Sequence, residues 1–452
     1  MRLLLFLFSL TVPLVAELSA EVATDARRYL IDLIKLDTTN PPGNETGVAE
    51  YLAKVCRAEG IDFELLGPEA SRKNFVARLR GNGSKRPLLL MAHSDVVPAD
   101  PKLWTVPPFS AEIREGFVYG RGAADDKSLL AAELAVFVDL KRRKVPLNRD
   151  VILFSEADEE AGSTGVSWMI ANAYSKIDAD VAINEGGGAM AVGDWTVYQV
   201  QTSEKIPTRV MLSARGSAGH GSLPRADNPV VHLAEAILKL AKAQQPVKLN
   251  TTTRRYFTEM SKLQQYSWLG AYLDQLESDQ ASEAIAARDA EMNAMLRTSV
   301  SPTMLTAGSK NNVIPNVAEA TVDVRRLPNE SKVEIMERFK KIINDPAVEV
   351  LPAPGQDMPA TEPSSLTTDL YLAMEKILGG EPRAKVIPLM SRGATDGSFL
   401  RQKGMAVYGA PVFMRDEGGS RAHGNDERMK LDNLTRGTGL LMRIVEEVAL
   451  GR

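Results

Sequence analysis

The chain has 452 residues, of which 44% are hydrophobic and 25% charged, a composition that is typical of a globular protein. This length is too great for one ordinary core, so two domains are expected. The net charge of −4 gives no electrostatic reason to expect binding to nucleic acid.

The first residues, 1–20, are typical of a secretory signal peptide. Arg2 precedes a mostly apolar stretch, 3–16, that is too short to span a membrane comfortably, and the small residue Ala20 precedes a charged, helical pattern. We expect cleavage near Ala20, or alternatively near Ala16. The protein would then be periplasmic or secreted, with no stable membrane span in its mature chain. The alternative is a buried N-terminal helix.

Helical patterns alternate with short apolar runs between residues 21 and 202. Helices are predicted at 24–36, 45–59, 128–143 and 166–173, and strands at 63–66, 74–79, 88–93, 150–154 and 181–184. This alternation favours an α/β fold with a mostly parallel sheet flanked by helices.

The pattern changes near residue 200. Strands with alternating polar and apolar residues are predicted at 209–214 and 317–324, helices at 229–243 and 330–344, and a polar helical stretch at 251–297. Apolar patterns return after residue 352, with helices near 367–378 and 434–450. We therefore predict a catalytic domain formed by 21–202 and 353–452, split by an inserted α+β lid or dimerisation domain at 203–352.

Residues that commonly bind metals follow several of the predicted strands. His93, Glu160 and Glu185 each come at or shortly after the end of an apolar run. In a parallel sheet such ends meet at one edge, where α/β proteins bind their ligands. Asp125, in Gly-Arg-Gly-Ala-Ala-Asp-Asp-Lys, and His423, one of only four histidines, complete a set of three carboxylates and two imidazoles.

This set of donors suits two divalent cations, about 3.5–4 Å apart, that share a bridging carboxylate. Oxygen ligands together with imidazole favour Zn2+, with Co2+ or Mn2+ as substitutes. Glu159 and Glu160 point to different sides of an extended chain, so one can bind metal while the other acts as a base. Asp95, two residues after His93, can reach the second ring nitrogen and orient the imidazole.

Each motif alone has a simpler interpretation. An Asp-Glu-Glu run often marks the solvated start of a helix, and Asp125-Asp126-Lys127 could cap one. The joint pattern favours a metal centre, because several such groups follow strand-like runs in one α/β half.

Together these motifs resemble the M20 family of metallopeptidases and amidohydrolases, over almost the whole mature chain. The resemblance implies five metal ligands: His93, Asp125, Glu160, Glu185 and His423. It further implies that Asp125 bridges both metals and that Glu159 is the general base.

Motifs in and after the insert match the same family. His220, in Gly-His-Gly, resembles its lid histidine, which stabilises the oxyanion in the partner subunit's active site, so the resemblance implies a homodimer. Asn312, in Asn-Val-Ile-Pro, and Arg325, in Asp-Val-Arg, match positions that contact the substrate and its carboxylate. The simpler alternative for Arg325 is an ion pair at a strand end. Arg392, in Arg-Gly-Ala-Thr-Asp-Gly, could clamp a carboxylate because guanidinium binds carboxylates in a bidentate manner, and His232 is expected to be structural.

The polar stretch at 251–297, interpreted as an enlarged lid, and the Asn-Glu-Gly-Gly sequence at 184–187 resemble the carboxypeptidase-S-like and N-acyl-amino-acid hydrolase branch. Ser128 departs from the glycine that many relatives have. The resemblance implies cleavage of an amide or peptide bond next to the terminal carboxylate of a small peptide or N-acyl amino acid. The alternatives are a dipeptidase or succinyl-diaminopimelate desuccinylase-like enzyme and, from another class, an inactive binding protein that retains the fold.

Overall fold

The computed structural model describes residues 19–354, 358–416 and 421–450. Nearly all of the predicted signal peptide lies outside the described residues. The helices are Ala20–Ile34 (α1), Thr46–Ala58 (α2), Lys127–Arg142 (α3), Thr164–Asn172 (α4), Pro229–Lys242 (α5), Thr251–Met260 (α6), Asp279–Ala286 (α7), Ala290–Leu296 (α8), Lys332–Ile343 (α9), Asp369–Gly379 (α10), Gly397–Gln402 (α11) and Leu431–Leu450 (α12), with 3₁₀ helices at Pro101–Leu103, Tyr174–Lys176 and Gln264–Gln275. The strands are Phe63–Leu66 (β1), Asn74–Leu79 (β2), Leu88–His93 (β3), Ile113–Arg114 (β4), Phe117–Tyr119 (β5), Val151–Glu156 (β6), Val181–Asn184 (β7), Gly188–Val192 (β8), Trp195–Glu204 (β9), Ile206–Arg215 (β10), Gly219–His220 (β11), Ser299–Ala307 (β12), Val313–Ile314 (β13), Val317–Arg326 (β14), Val348–Pro352 (β15), Ala384–Ser391 (β16), Ala406–Gly409 (β17) and Arg428–Lys430 (β18).

The large sheet has the strand order β1-β2-β6-β3-β7-β17-β9-β16, with β8 paired to β9. Its central strands β6, β3, β7 and β17 run parallel to one another, and every residue of β3 and β6 is buried. Unbroken apolar runs of this kind are typical of strands that are covered on both faces. The expected α/β fold, with a mostly parallel sheet and flanking helices, is confirmed.

Successive residues of β3 pack on opposite faces of the large sheet, as the geometry of a strand requires. Leu88, Leu90 and Ala92 belong to a core shared with α1, α3 and α12, whereas Leu89 and Met91 pack with residues of α4 and α11. Because both faces are covered, polar groups are left to the strand ends and the loops that follow them.

A second sheet, β12-β14-β10-β15, is antiparallel and lies within residues 206–352. α5 and α9 pack on it through buried residues such as Leu233 and Phe339. Strand β12 forms an edge, and its residues Met304 and Leu305 are 66% and 61% exposed. This sheet falls inside the predicted insert, while the division of the chain into domains stays a prediction.

The polar helical stretch at 251–297 packs differently from the expectation that it enlarges the lid. Its buried residues, which include Phe257 and Met295, pack on Val197 of β9 and Ile387 of β16. The physical reason is that β16 is an edge strand of the large sheet and carries apolar residues that need cover. The stretch therefore covers the large sheet instead of extending the small one.

Helix α1 follows directly on Ser19, whose hydroxyl accepts a hydrogen bond from the Val22 N–H at 3.2 Å. This is the usual role of a serine at the first position of a helix. Within the described residues, no helix is long and apolar enough to cross a membrane.

Candidate metal centre

Three parallel strands bring polar side chains to one edge of the large sheet. β3 ends at His93, which is in register with Glu156 at the end of β6, and β7 ends directly before Glu185. Because β3 lies between β6 and β7, the loops that follow all three strands meet around the His93 imidazole.

Asp125 lies between two imidazoles. His93 Nε2 is 3.0 Å from Asp125 Oδ1, and His423 Nε2 is 3.3 Å from Asp125 Oδ2. His423 Nε2 is also 2.9 Å from Glu160 Oε1. A carboxylate with one oxygen towards each imidazole has the arrangement that bridging two cations requires.

Two overlapping groups of side chains could each hold a cation. The ligand atoms of His93, Asp125 and Glu160 lie within 4.8 Å of one another, as do those of His93, Glu159 and Glu185. With His423 in contact with Asp125 and Glu160, the structure brings together all five predicted ligands and the predicted base. The role of each as ligand or base stays a prediction.

The centre concentrates buried carboxyl groups. Burial, reinforced by the charge of Glu185, raises the pKa of Glu159 well above its usual range. Burial likewise raises the pKa of Glu185, and contacts with Asp125 and Glu160 raise the pKa of His423 to about 10. Divalent cations would compensate this negative charge, and the carboxylate oxygens and imidazole nitrogens present fit the ligands that Zn2+ prefers.

Asp95 fixes the loop that carries the glutamate pair. Its Oδ1 and Oδ2 accept the main-chain N–H groups of Glu159 and Glu160, each at 3.1 Å, and Oδ2 also accepts Asn40 Nδ2 at 2.7 Å. His93 Nδ1 is closer to the carbonyl oxygen of Asp95, at 3.0 Å, than to Oδ1, at 3.6 Å. The expected orientation of the imidazole therefore comes mainly from the Asp95 main chain, and the carboxylate mainly positions the glutamates.

Asp158 also stabilises the loop that carries Glu159 and Glu160. Its Oδ1 accepts Asn40 Nδ2 and Arg72 Nη2, both at 2.8 Å, and its Oδ2 accepts the N–H and hydroxyl of Thr164 at 3.1 and 2.5 Å. Since α4 begins only at Thr164, the Asp-Glu-Glu run lies before the first turn of that helix. The sequence did not predict the roles of Asp158 and Asn40, because no sequence motif indicates them.

Glu427 organises the loop that carries Asp125. Its Oε1 accepts the N–H groups of Ala124 and Asp125 at 2.7 and 3.0 Å. Its Oε2 accepts the N–H of Gly122 at 3.1 Å and Arg121 Nη1 at 2.6 Å. Sequence analysis also missed this residue, and the one available signal was an acidic residue soon after the last predicted ligand.

The predicted lid motifs lie side by side in the insert. His220, on β11, is exposed, and its Nδ1 accepts the Ser222 N–H at 3.1 Å. The carbonyl oxygen of Asn312 accepts the Gly221 N–H at 2.8 Å. Among the described residues, neither His220 nor Asn312 forms a hydrogen bond with the five predicted ligands, so their roles stay predictions.

The two arginines predicted to bind substrate both form ion pairs. Arg325 Nε lies 3.0 Å from Asp323 Oδ2, and Arg392 Nη1 lies 3.0 Å from Glu291 Oε1. Burial, together with the charges of Arg325 and Arg392, lowers the pKa of Lys205 to about 7. Lys205 joins β9 of the large sheet to β10 of the small one.

A cleft of about 430 Å³ opens beside Glu185. It is lined by the glycine run 186–188, by apolar side chains such as Phe413 and Met429, and by several arginines that include Arg392. A cleft of this size and mixed lining is suited to a small organic ligand.

Comparisons with known proteins agree on one family. A sequence model of peptidase family M20/M25/M40 matches residues 89–447. A human protein described as N-fatty-acyl-amino acid synthase/hydrolase PM20D1 is 30% identical over 362 residues, 77% of this chain and 71% of the human protein. A probable carboxypeptidase S-like 2 from Dictyostelium discoideum is 27% identical over 361 residues, 77% of this chain and 69% of that protein. The crystal structure of an M20 family metallo-carboxypeptidase, Sso-CP2 from Sulfolobus solfataricus, has a TM-score of 0.70 at 23% identity and covers 95% of this chain and 99% of its own.

Proposed function

Because the chain belongs to peptidase family M20/M25/M40, we propose that it hydrolyses the amide or peptide bond next to the terminal carboxylate of an N-acyl amino acid or small peptide, at a centre of two Zn2+ ions. The observation that carries this proposal is the position of Asp125, with one carboxylate oxygen towards His93 and the other towards His423. The proposed substrate class is supported by the relatives described as an N-fatty-acyl-amino acid hydrolase and a carboxypeptidase S-like protein.

The five predicted ligands divide between two ions. His93 and Glu185 would hold one ion, Glu160 and His423 the other, and Asp125 would bridge them. Co2+ or Mn2+ would fit the same donors. When bound, such ions supply Lewis-acid chemistry, which lowers the pKa of water towards about 7 and polarises a scissile carbonyl.

Glu159 is the residue proposed to move the proton. It would take a proton from the attacking water and deliver it to the nitrogen of the leaving amine. Burial and the charge of Glu185 raise the pKa of Glu159, and the two cations would oppose this shift. The hydrogen bond from its main-chain N–H to Asp95 holds it in place for this role.

The insert would supply the remaining contacts to the substrate. His220 of the partner subunit would donate a hydrogen bond to the developing oxyanion, a contribution of roughly 3–4 kcal/mol for one well-placed donor. Arg325 or Arg392 would hold the terminal carboxylate through paired N–H donors, and Asn312 would contact the substrate nearby.

A homodimer is part of the same proposal. The edge strand β12 exposes Met304 and Leu305, and an exposed edge strand can pair with a second copy of the chain. The exposed position of His220 also suits a residue that acts in a partner's site. Measurement of the mass in solution tests this point, and a fully active monomer would contradict the role given to His220.

Turnover by metal-reconstituted protein tests the proposed function. Protein stripped by a chelator and reloaded with Zn2+ is assayed on N-acyl amino acids, on peptides with a free C-terminus, on dipeptides and on N-succinyl-diaminopimelate. We expect chelator-sensitive hydrolysis of the first two classes and two metals per chain by elemental analysis. Preference for either of the last two would favour the alternative enzymes, and metal binding without any turnover would favour an inactive binding protein.

We also propose that residues 1–20 direct the chain to the periplasm or out of the cell. Cleavage after Ala20 would remove Ser19 and with it the cap of α1, at a cost of about 1 kcal/mol, whereas a cut near Ala16 keeps the cap. N-terminal sequencing of protein from separated cell fractions tests both points, and an intact N-terminus in the cytosol would contradict them.

A further inference from the structure

Four arginines and four carboxylates line the cleft beside Glu185. Apart from Glu185 and Asp126, its charged lining consists of four arginines and two carboxylates: Arg392, Arg415, Arg421, Arg428, Glu291 and Asp416. Arg392 pairs with Glu291, and Arg428 Nε lies 3.2 Å from Asp416 Oδ2. Arg415 and Arg421 form no ion pair within the described parts of the chain, although both line the cleft.

Arg415 is held in place at the wall of the cleft. Its main-chain N–H donates to the Ala189 oxygen at 2.8 Å, and its Nη2 donates to the Gly187 oxygen at 3.2 Å. A Cβ atom on Gly188 would lie 2.7 Å from Arg415 Nε, so a glycine at this position leaves the space that the guanidinium occupies. The guanidinium therefore lies over the glycine run that directly follows the predicted metal ligand Glu185.

The surroundings of Arg415 favour an anion. Solvent reaches the side chain through the cleft, yet the protein around it removes enough hydration to lower the pKa of Arg415. A partly desolvated cation that forms no ion pair with a described carboxylate gains from a charge-assisted hydrogen bond to an anionic ligand. Since the proposed function assigns the terminal carboxylate to Arg325 or Arg392, the guanidinium of Arg415 is left to bind a second anionic group.

We propose that Arg415 is a specificity-determining residue that binds a second anionic group of the substrate, in addition to the terminal carboxylate. The inference rests on the proposed function, because it concerns the substrate of the same site. The second carboxylate belongs to the side chain of the amino acid, as in an N-acyl glutamate, or to the acyl group, as in an N-succinyl amino acid.

Two matched pairs of substrates test the inference on the metal-loaded full chain. The first pair is N-acetyl-L-glutamate and N-acetyl-L-glutamine, and the second is N-succinyl-L-methionine and N-succinamoyl-L-methionine. The members of each pair have nearly the same shape and differ by one charge. In the pair whose anion reaches Arg415, we expect kcat/KM to favour the charged member by about tenfold or more, the lower end for a hydrogen bond to a charged group.

Variants assign this preference to one residue. Arg415→Gln should bring the ratio of the two kcat/KM values close to one, whereas Arg415→Lys, which keeps the charge without the forked donors, should retain part of the preference. Arg383→Gln is the control, because Arg383 is an exposed arginine paired with the exposed Asp194. The control should leave the ratio unchanged.

The outcomes separate this inference from the proposed function. If the wild type shows a ratio of kcat/KM values, charged over neutral member, near one in both pairs and hydrolyses the neutral members, the inference is wrong. The proposed function is then still supported. A preference that survives in Arg415→Gln would overturn the assignment to Arg415. Hydrolysis of none of these compounds, nor of the wider panel, would overturn the proposed function and the inference with it.

Discussion

Replacement of Glu427 by glutamine should loosen the loop that carries Asp125. The two carboxylate oxygens of Glu427 accept hydrogen bonds from Arg121 and from the N–H groups of Gly122, Ala124 and Asp125. All four partners are donors. An amide has only one acceptor oxygen, so its NH2 group would face two of these donors and leave them without a partner.

The size of the expected loss of stability follows from the burial of the ion pair between Arg121 and Glu427. The side chains of Arg121 and Glu427 are 3% and 0% exposed, and removal of one partner from a buried ion pair costs about 3–5 kcal/mol because the other charge stays buried and uncompensated. Residues that position metal ligands typically change metal affinity about 10–100-fold when they are replaced. We therefore expect Glu427→Gln to lower the free energy of unfolding by about 3 kcal/mol or more and the Zn2+ affinity by about 10–100-fold.

Two assays measure these effects. Urea unfolding of metal-free protein, followed by the fluorescence of its four tryptophans, gives the stability, and competition with a chromophoric chelator gives the Zn2+ affinity. Arg121→Met combined with Glu427→Gln should recover part of the lost stability, because no charge is then left alone. Glu447→Gln, which removes a surface pair between α12 and Lys376 on α10, is the control and should cost less than about 1 kcal/mol. A loss in Glu427→Gln no larger than in this control, with unchanged Zn2+ affinity, would refute the reasoning.

Three further predictions follow from other contacts. Glu159→Gln should lower turnover by about 10²–10⁴-fold with the metal content unchanged by elemental analysis, and loss of metal would mean that the ligand and the base had been exchanged. His232 Nδ1 lies 2.6 Å from Asp345 Oδ2, and this contact raises the pKa of His232. The contact therefore stabilises the fold fully below the unfolded pKa of about 6.5 and ceases to do so as the pH rises through the raised pKa. The unfolding midpoint should fall across that range in the wild type but less in His232→Gln, and equal slopes would contradict the assignment. Met304→Glu together with Leu305→Glu should shift the mass measured by light scattering from dimer to monomer, since like charges then oppose pairing of the edge strands, and an unchanged dimer would place the interface elsewhere.

The parallel core could be predicted because strands that are buried on both faces consist of unbroken apolar runs, which are easy to recognise in a sequence. The apolar runs of β3 and β6 were recognised to within two residues of their ends. Their parallel register then places His93 beside Glu156 and the loop with Glu159 and Glu160. Ligand-type residues at such strand ends are visible in a sequence because they interrupt otherwise apolar runs.

The contacts by which Asp95 and Glu427 hold the loops of the predicted ligands could not be predicted. Asp95 and Glu427 act by accepting main-chain N–H groups, and almost every residue offers such a group, so the pairing leaves no pattern in the sequence. The helices at 251–297 presented a related difficulty. The spacing of their apolar residues predicts a buried face but does not tell which surface that face covers. In the structure it covers β9 and the edge strand β16 of the large sheet.

One guanidinium links two of the chain segments that form the candidate metal centre, the loops of Asp125 and His423. Arg121 Nη1 donates to Glu427 Oε2 at 2.6 Å, and Arg121 Nη2 lies 3.4 Å from the carbonyl oxygen of His423. His423 has a φ of 63°, in a region where a residue with a side chain costs of order 1–3 kcal/mol and persists only when its surroundings hold it. Arg121 and Glu427 thus hold the loops of Asp125 and His423 against each other, and two shared cations would tolerate little change in that spacing. Because folding and metal binding use the same contacts, order in these loops and metal affinity should rise and fall together.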